Sequence, residues 1–229
     1  MTSPASNSKS SDPSLPEAYS EGNTEFLGCT IYLDSRPLIP RTETEWWTEK
    51  LVDSLQLTAD SSIKVLDLFA GSGCIGVAVL KRVAGATIDF GELEARHLPT
   101  IQKNVLMNGV DLARSRVLQT DVFSAISGKY DYILANPPYL AESRMARIED
   151  SVLAYEPKEA LLAADDGFDL VRRTIQGALE RLTTSGQLWI EHEPEHEARI
   201  HVECARLGLA VATHKDQYGV VRYSVILMA

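Results

Sequence analysis

One stretch limits the available folds more than any other. Ile63-Lys64-Val65-Leu66-Asp67-Leu68-Phe69 is a nearly unbroken apolar run of strand length. It enters Ala70-Gly71-Ser72-Gly73-Cys74-Ile75-Gly76 and then an apolar helical segment through Val77, Val79 and Leu80. An apolar run without alternation belongs to a strand covered on both faces, as in a parallel sheet flanked by helices. Strand, glycine loop and helix together open a doubly wound α/β sheet. Gly71, Gly73 and Gly76 match the dinucleotide-type spacing G-x-G-x-x-G, in which glycines allow a tight turn and close approach to a ligand. The spacing alone is weak, since a tight turn before a helix explains it without any ligand.

The rest of the chain continues the same alternation. Residues 86–90 read as the second strand, followed by Glu92 and Glu94. Glu92 stands roughly 20 residues past the glycine loop, where a carboxylate accepts from ribose hydroxyls. The plainer reading puts Glu92 or Glu94 in the first turn of the next helix, where the dipole favours an acid. That helix runs through Leu98, Ile101, Val105 and Leu106 to Asn108-Gly109. Residues 116–119 are a third strand. Asp121 follows it, facing either an adenine amino group in the ligand crevice or the amino end of a helix as a cap. Residues 131–135 are the fourth strand. A helix through Leu170, Val171, Ile175, Leu179 and Leu182 is expected to stop at Ser185-Gly186. A fifth strand over 187–191, a helix over 195–207 and two strands over 210–214 and 222–227 complete the pattern. A short turn joins the last two strands, so they read as an antiparallel hairpin at one edge. Six parallel strands with an antiparallel seventh is a methyltransferase arrangement, whereas a nicotinamide dehydrogenase more often closes with another helical crossover.

The amino-terminal region divides differently. Residues 1–20 are rich in Ser and Pro and read as a disordered tail. Residues 21–58 read as an arm and a helix, with a short hairpin over 26–34 and Thr42 or Thr44 as the cap of the helix. Arg41 lies between a proline and that cap, as a ligand contact or as half of a surface ion pair. Residues 59–229 read as the catalytic domain. The chain has 22 Lys and Arg against 32 Asp and Glu, a net charge of −10, which argues against broad binding to a phosphate backbone. Cys29, Cys74 and Cys204 have no metal-like spacing and read as reduced thiols of a cytoplasmic protein. No apolar run has the length of a membrane span, and no signal core precedes Arg36.

The chemistry concentrates at Asn136-Pro137-Pro138-Tyr139, directly after the fourth strand. The prolines rigidify the backbone there. The Asn136 side-chain oxygen and the Pro137 carbonyl supply two acceptors for a flat amide-like group, and Tyr139 can pack on its face. Such a pocket suits methylation of an amide nitrogen, whose lone pair is delocalised and must be oriented toward the methyl donor. His192-Glu193-Pro194-Glu195-His196 matches the zinc-protease pattern H-E-x-x-H, but Pro194 prevents one helix from carrying both histidines, so no metal is assigned.

Several separated blocks together resemble the HemK-type (PrmC-like) release factor glutamine methyltransferases. They are Leu38 to Glu45, Asp67 to Gly76, Asn136 to Tyr139, Tyr155-Glu156-Pro157 with Asp166-Gly167, and Lys215-Asp216 through Gly219 and Arg222. The resemblance implies a Rossmann-like class I S-adenosylmethionine-dependent methyltransferase sheet, and methylation of the Gly-Gly-Gln glutamine of a peptide chain release factor. It implies that S-adenosyl-L-methionine lies against Asp67, Phe69, Gly71, Gly73, Glu92, Asp121 and Asn136, with Arg41 as a further contact. It implies that the glutamine lies against Asn136, Pro137, Pro138 and Tyr139, with Asn136, Pro137 and Tyr139 carrying the chemistry. The chain departs from that pattern in four places. A Ser/Pro-rich tail stands where the family has a helical domain, and an accessory chain in its place is one expectation. Thr42 replaces a proline, Phe69-Ala70 replaces a glycine and a small residue, and Glu92 stands for the commoner Asp. The rival readings are a DNA or RNA base N-methyltransferase that stacks a flipped base on Tyr139, and a catalytically silent donor-binding partner protein. Direct nucleic acid binding is not expected at this net charge.

Overall fold

In the computed structural model the described residues are 15–56, 62–140, 155–156 and 163–228. Apolar residues alternate between two cores along the central strands. In β3 (Ile63–Leu68) Val65 faces one core while Leu66 and Leu68 face the other. In β6 (Tyr130–Ala135) Leu134 and Ile133 divide in the same way. Each buried Leu, Ile or Val contributes about 1.5–3 kcal/mol of transfer free energy, so both faces are held by burial. The sheet also contains β4 (Ala86–Glu92), β5 (Ser115–Gln119), β7 (Leu182–Glu191), β8 (Leu209–Lys215) and β9 (Val221–Met228). Their order is β5-β4-β3-β6-β7-β9-β8. β5 to β7 run parallel, and β9 is antiparallel to both of its neighbours. This is the seven-stranded arrangement with an antiparallel last strand that the pattern implied.

One core packs under α2 (Thr42–Gln56), α3 (Cys74–Arg82) and α4 (Leu98–Met107). The other packs under α5 (Asp169–Ala178) and α6 (Glu197–Leu207). The hairpin of β1 (Asn23–Phe26) and β2 (Cys29–Tyr32) joins the first core through Phe26, Cys29 and Ile31. The chain crosses from β5 back to β6 beside β3, so the strand order reverses next to β3. Ligands of open α/β sheets lie at such a switch point, outside the carboxyl ends of the strands. Gly71, Glu92, Asp121 and Asn136 all follow or end these strands.

Two expectations are corrected. The tail does not stay disordered through residue 20, because α1 (Glu17–Glu21) forms there. Tyr19 is its anchor: the ring is buried, its hydroxyl donates to the Pro37 carbonyl at 2.7 Å, and left-handed Gly22 closes the helix. Residues 1–14 lie outside the described residues, as does most of the 140–165 segment expected to be irregular. The helix expected to reach Leu182 ends at Ala178, and Leu182 instead opens β7 opposite Tyr130. The register then shifts between Tyr130 and Tyr132, and Gly186 sits at that irregularity. A Cβ on Gly186 would lie 3.0 Å from the Thr183 nitrogen and oxygen and from the Tyr130 carbonyl. Ser185-Gly186 therefore marks a bulge inside the strand and not a helix end. No helix among the described residues is long and apolar enough to cross a membrane.

Candidate active site

The glycine loop is held from below. Asp67, in β3, is fully buried, and its Oδ2 accepts from the Gly76 amide at 2.9 Å. Among the described residues its Oδ1 has no hydrogen-bond partner. Burial pushes the Asp67 carboxyl up to about 8; the Gly76 amide opposes this and the nearby Glu92 charge adds to it. Glu92 closes the loop from the side. Its Oε2 accepts from the Gly71 amide at 2.7 Å and its Oε1 from the Glu94 amide at 2.8 Å. Glu92 is therefore the last residue of β4 and not part of a helical first turn. Burial raises its pKa, with the Glu94 and Gly71 amides opposing. Each oxygen keeps a lone pair for a hydroxyl from the cleft.

Two non-glycine residues here adopt left-handed backbone: Phe69 with φ 62° and Val122 with φ 49°. This conformation costs an L-residue about 1–2 kcal/mol, and strained backbone of this kind gathers at functional sites. At Phe69 the strain has a sequence counterpart, since the resemblance implies a glycine at that point. Val122 left no signal beyond following Asp121.

Above the loop opens a cleft of about 790 Å³, continuous with solvent. Its walls include Phe69, Gly71, Glu92, Asp121, Asn136 and Pro138, all expected site residues, together with Leu38, Leu93, His97, Val122 and Leu170. Apolar side chains with a few converging carboxylates suit a nucleoside with a cationic tail. Asp121 is half exposed and ion-paired with Arg173 at 2.9 Å; it is not a helix cap. Burial of the His97 ring beside Arg96 lowers its pKa to about 4, and its Nδ1 shares a hydrogen bond of 2.8 Å with Ser35 Oγ.

The other expected residues stand behind these walls. Gly73, with φ 78°, caps α3 and packs against Phe90 and Ile101. Arg41 donates to Glu156 Oε1 at 2.7 Å, which is the ion-pair alternative for that residue. Pro137 is buried, and Tyr139 turns from the cleft to donate its hydroxyl to Glu191 Oε1 at 2.8 Å. This bond engages only the hydroxyl of a half-buried ring. Burial, with the charge of Glu191, raises its pKa well above the ordinary value.

Glu191 was not foreseen as a site residue. It ends β7 with 1 % exposure, and its Oε2 accepts from Thr44 Oγ1 and Trp47 Nε1, each at 2.7 Å. Asn136 Nδ2 donates to the same Thr44 Oγ1 at 3.1 Å. Thr44 therefore serves Glu191 and Asn136 and does not cap α2. The available signal was position: like Glu92, Glu191 is an acid at the carboxyl end of a central strand. In the H-E-x-x-H stretch, His192 bonds the Glu193 carbonyl and Ser224, while His196 bonds the Asp166 carbonyl. Among the described residues no group of three or more His, Cys, Asp or Glu could hold a metal ion.

Comparison with known proteins places this geometry. A family model described as the methyltransferase small domain matches residues 43–161. The release factor glutamine methyltransferase of Bordetella pertussis is 34% identical over 91% of this chain and 76% of its own. That of Flavobacterium psychrophilum is 33% identical over 77% of this chain and 62% of its own. The chain thus spans 62% to 76% of the length of these relatives. Among solved structures, the N-terminal domain of human METTL16 has a TM-score of 0.62 at 18% identity, covering 87% of this chain and 75% of that one. The 16S rRNA N2 G1207 methyltransferase of T. thermophilus has a TM-score of 0.61 at 20% identity, covering 89% of this chain and 48% of that one. At these identities the two structures report the shared fold. The identity over most of its length to curated relatives decides the family: this chain belongs to the release factor glutamine methyltransferases.

Proposed function

We propose that the chain transfers a methyl group from S-adenosyl-L-methionine to the side-chain amide nitrogen of a protein glutamine, that of the Gly-Gly-Gln motif of a peptide chain release factor. One observation carries this reading most: Asn136 lines the cleft while its own amide nitrogen is engaged by Thr44. Its Oδ1 is then left as an acceptor toward the cleft. The residues fit the donor. Gly71 and Phe69 form the turn beside it, Glu92 offers lone pairs to ribose hydroxyls, and Asp121 lies within reach of an adenine amino group. When bound, the donor supplies an electrophilic methyl on a sulfonium. The protein's task is to orient the nucleophile and exclude water. The substrate amide nitrogen gains a methyl and loses one proton. Asn136 Oδ1 accepts an N–H of that amide as positive charge builds on it, and a preorganised acceptor needs no reorganisation at that moment. Pro138 walls the cleft beside it.

The names of the relatives and the acidic balance support a protein substrate over a nucleic acid. The test is labelled methyl transfer to purified release factors, with and without the Gly-Gly-Gln glutamine replaced. Label is expected only on the intact factor. Label on nucleic acid, or on the factor lacking that glutamine, overturns the assignment. Asn136→Ala is expected to keep donor binding and lose most turnover.

A further inference from the structure

An amide acceptor is useful only if its oxygen, and not its NH2, faces the substrate. The two ends of an Asn side chain are nearly the same size, so packing cannot choose between them. Hydrogen bonding must. Thr44 has one hydroxyl hydrogen, and its Oγ1 lies 2.7 Å from Glu191 Oε2. Trp47 donates to the same Oε2, which marks that oxygen as an acceptor, so it takes the Thr44 hydrogen. Thr44 can then only accept from Asn136, and the contact at 3.1 Å must come from the NH2 end. The oxygen end is left for the cleft. We propose that Glu191, acting through Thr44, is the positioning residue that sets which end of the Asn136 amide meets the substrate. The same carboxylate takes the Tyr139 hydroxyl on its other oxygen, so it holds both ends of the Asn136–Tyr139 segment. Trp47 donates from α2 to the oxygen that Thr44 uses, and its indole N–H cannot reverse direction.

The inference rests on the reading of Asn136 given above, and its test separates the two. Glu191→Leu takes away the acceptor of the Thr44 hydrogen, which is then free to turn toward Asn136 and reverse the amide. Glu191→Gln would instead keep its oxygen toward Trp47 and Thr44, because Trp47 can only donate. Thr44→Val keeps the volume and removes the acceptor. Thr44→Ser keeps the hydroxyl. With a purified release factor as substrate, Glu191→Leu and Thr44→Val are expected to lower kcat about 10²-fold, the usual size for losing one preorganised polar contact. S-adenosylmethionine affinity by calorimetry and KM for the factor should stay nearly constant. Thr44→Ser should recover most of kcat, and the double variant should be no slower than either single one. If Glu191→Leu does not fold, Thr44→Val decides. Wild-type kcat in Thr44→Val overturns the relay, as does a loss in Thr44→Ser equal to that in Thr44→Val, since bulk rather than polarity would then matter. If Asn136→Ala turns over normally, the reading of Asn136 itself falls. If Asn136→Ala is inactive while Thr44→Val is normal, only the relay falls.

Discussion

Gly76→Ala isolates the contact that lets α3 pack onto the sheet beside the glycine loop. Gly76 is the third residue of α3, where alanine would ordinarily gain about 0.5–1 kcal/mol over glycine. Space opposes that gain. A Cβ there would stand 2.3 Å from Phe90 Cε1, 2.7 Å from Phe90 Cζ and 3.0 Å from Asp67 Oδ2. Phe90 is fully buried in β4, so its ring cannot swing out to make room. Overpacking of this kind costs about 1–3 kcal/mol, which exceeds the propensity gain. A net loss of about 1–2 kcal/mol converts, at about 2–4 °C per kcal/mol for a chain of this size, into a Tm lower by roughly 2–8 °C. Thermal unfolding followed by circular dichroism reads this directly. A double-mutant cycle with Phe90→Leu gives the mechanism, since removing the far ring atoms should make the alanine cheaper by more than about 0.5 kcal/mol. An unchanged or higher Tm for Gly76→Ala, or an equal cost in both backgrounds, refutes the steric argument.

Two further outcomes follow from the charges. The Asp67 carboxyl is raised to about 8 in the fold, by burial first, against about 3.9 in an unfolded chain. Between those values the folded state binds the extra proton, so this group's contribution to stability falls as pH rises from about 4 to about 8. Urea midpoints across that range should decline for the wild type relative to Asp67→Asn, and parallel curves would contradict the assignment. Arg41 holds the Glu156 carboxylate, whose side chain is only 1 % exposed. Arg41→Ala should therefore cost about 3 kcal/mol by leaving that charge buried without its cation. Arg41→Ala/Glu156→Gln should regain part of it. Denaturant titration checks both variants, and a loss confined to donor affinity would instead make Arg41 a ligand contact.

The parts of the fold that the sequence makes readable are those where one local rule acts alone. β3, its loop and α3 follow from an unbroken apolar run and three glycines, each with a separate task in the structure: Gly71 turns beside the cleft, Gly73 caps α3, and Gly76 admits Phe90. The Leu179–Leu182 region misleads because its spacing continues a helical period while Leu182 already pairs with Tyr130. Tyr19 misleads in the opposite way: one aromatic anchors a segment whose average composition argues for disorder. The Glu191 relay lies beyond any local rule. Thr44 and Glu191 are separated by 147 positions and Trp47 and Glu191 by 144, so only the assembled sheet brings them together.

That separation bears on how the amino-terminal region relates to the sheet. Asn104 on α4 and Asn108 at its carboxyl-end cap act toward β2 as a neighbouring strand would. Asn104 accepts from the Tyr32 amide at 2.8 Å and donates to the Tyr32 carbonyl at 3.0 Å. Asn108 treats Thr30 in the same way, at 3.1 and 2.9 Å. The edge of the hairpin is thereby covered by side chains. Asn104 also donates to the Ser72 carbonyl at 2.9 Å, so the element that fixes the hairpin fixes the glycine loop too. On the other side, α2 supplies Thr44 and Trp47 to the carboxylate behind Asn136. The hairpin and α2 thus touch both halves of the site, the loop that would hold the donor and the segment that would hold the glutamine. A cut between α2 and β3 would remove two of the three side chains that donate to the buried Glu191 carboxylate, leaving it with Tyr139, and would strip the polar partners of Asn104 and Asn108. Half-satisfied buried networks are costlier than none, so neither piece would keep the geometry that makes Asn136 an acceptor.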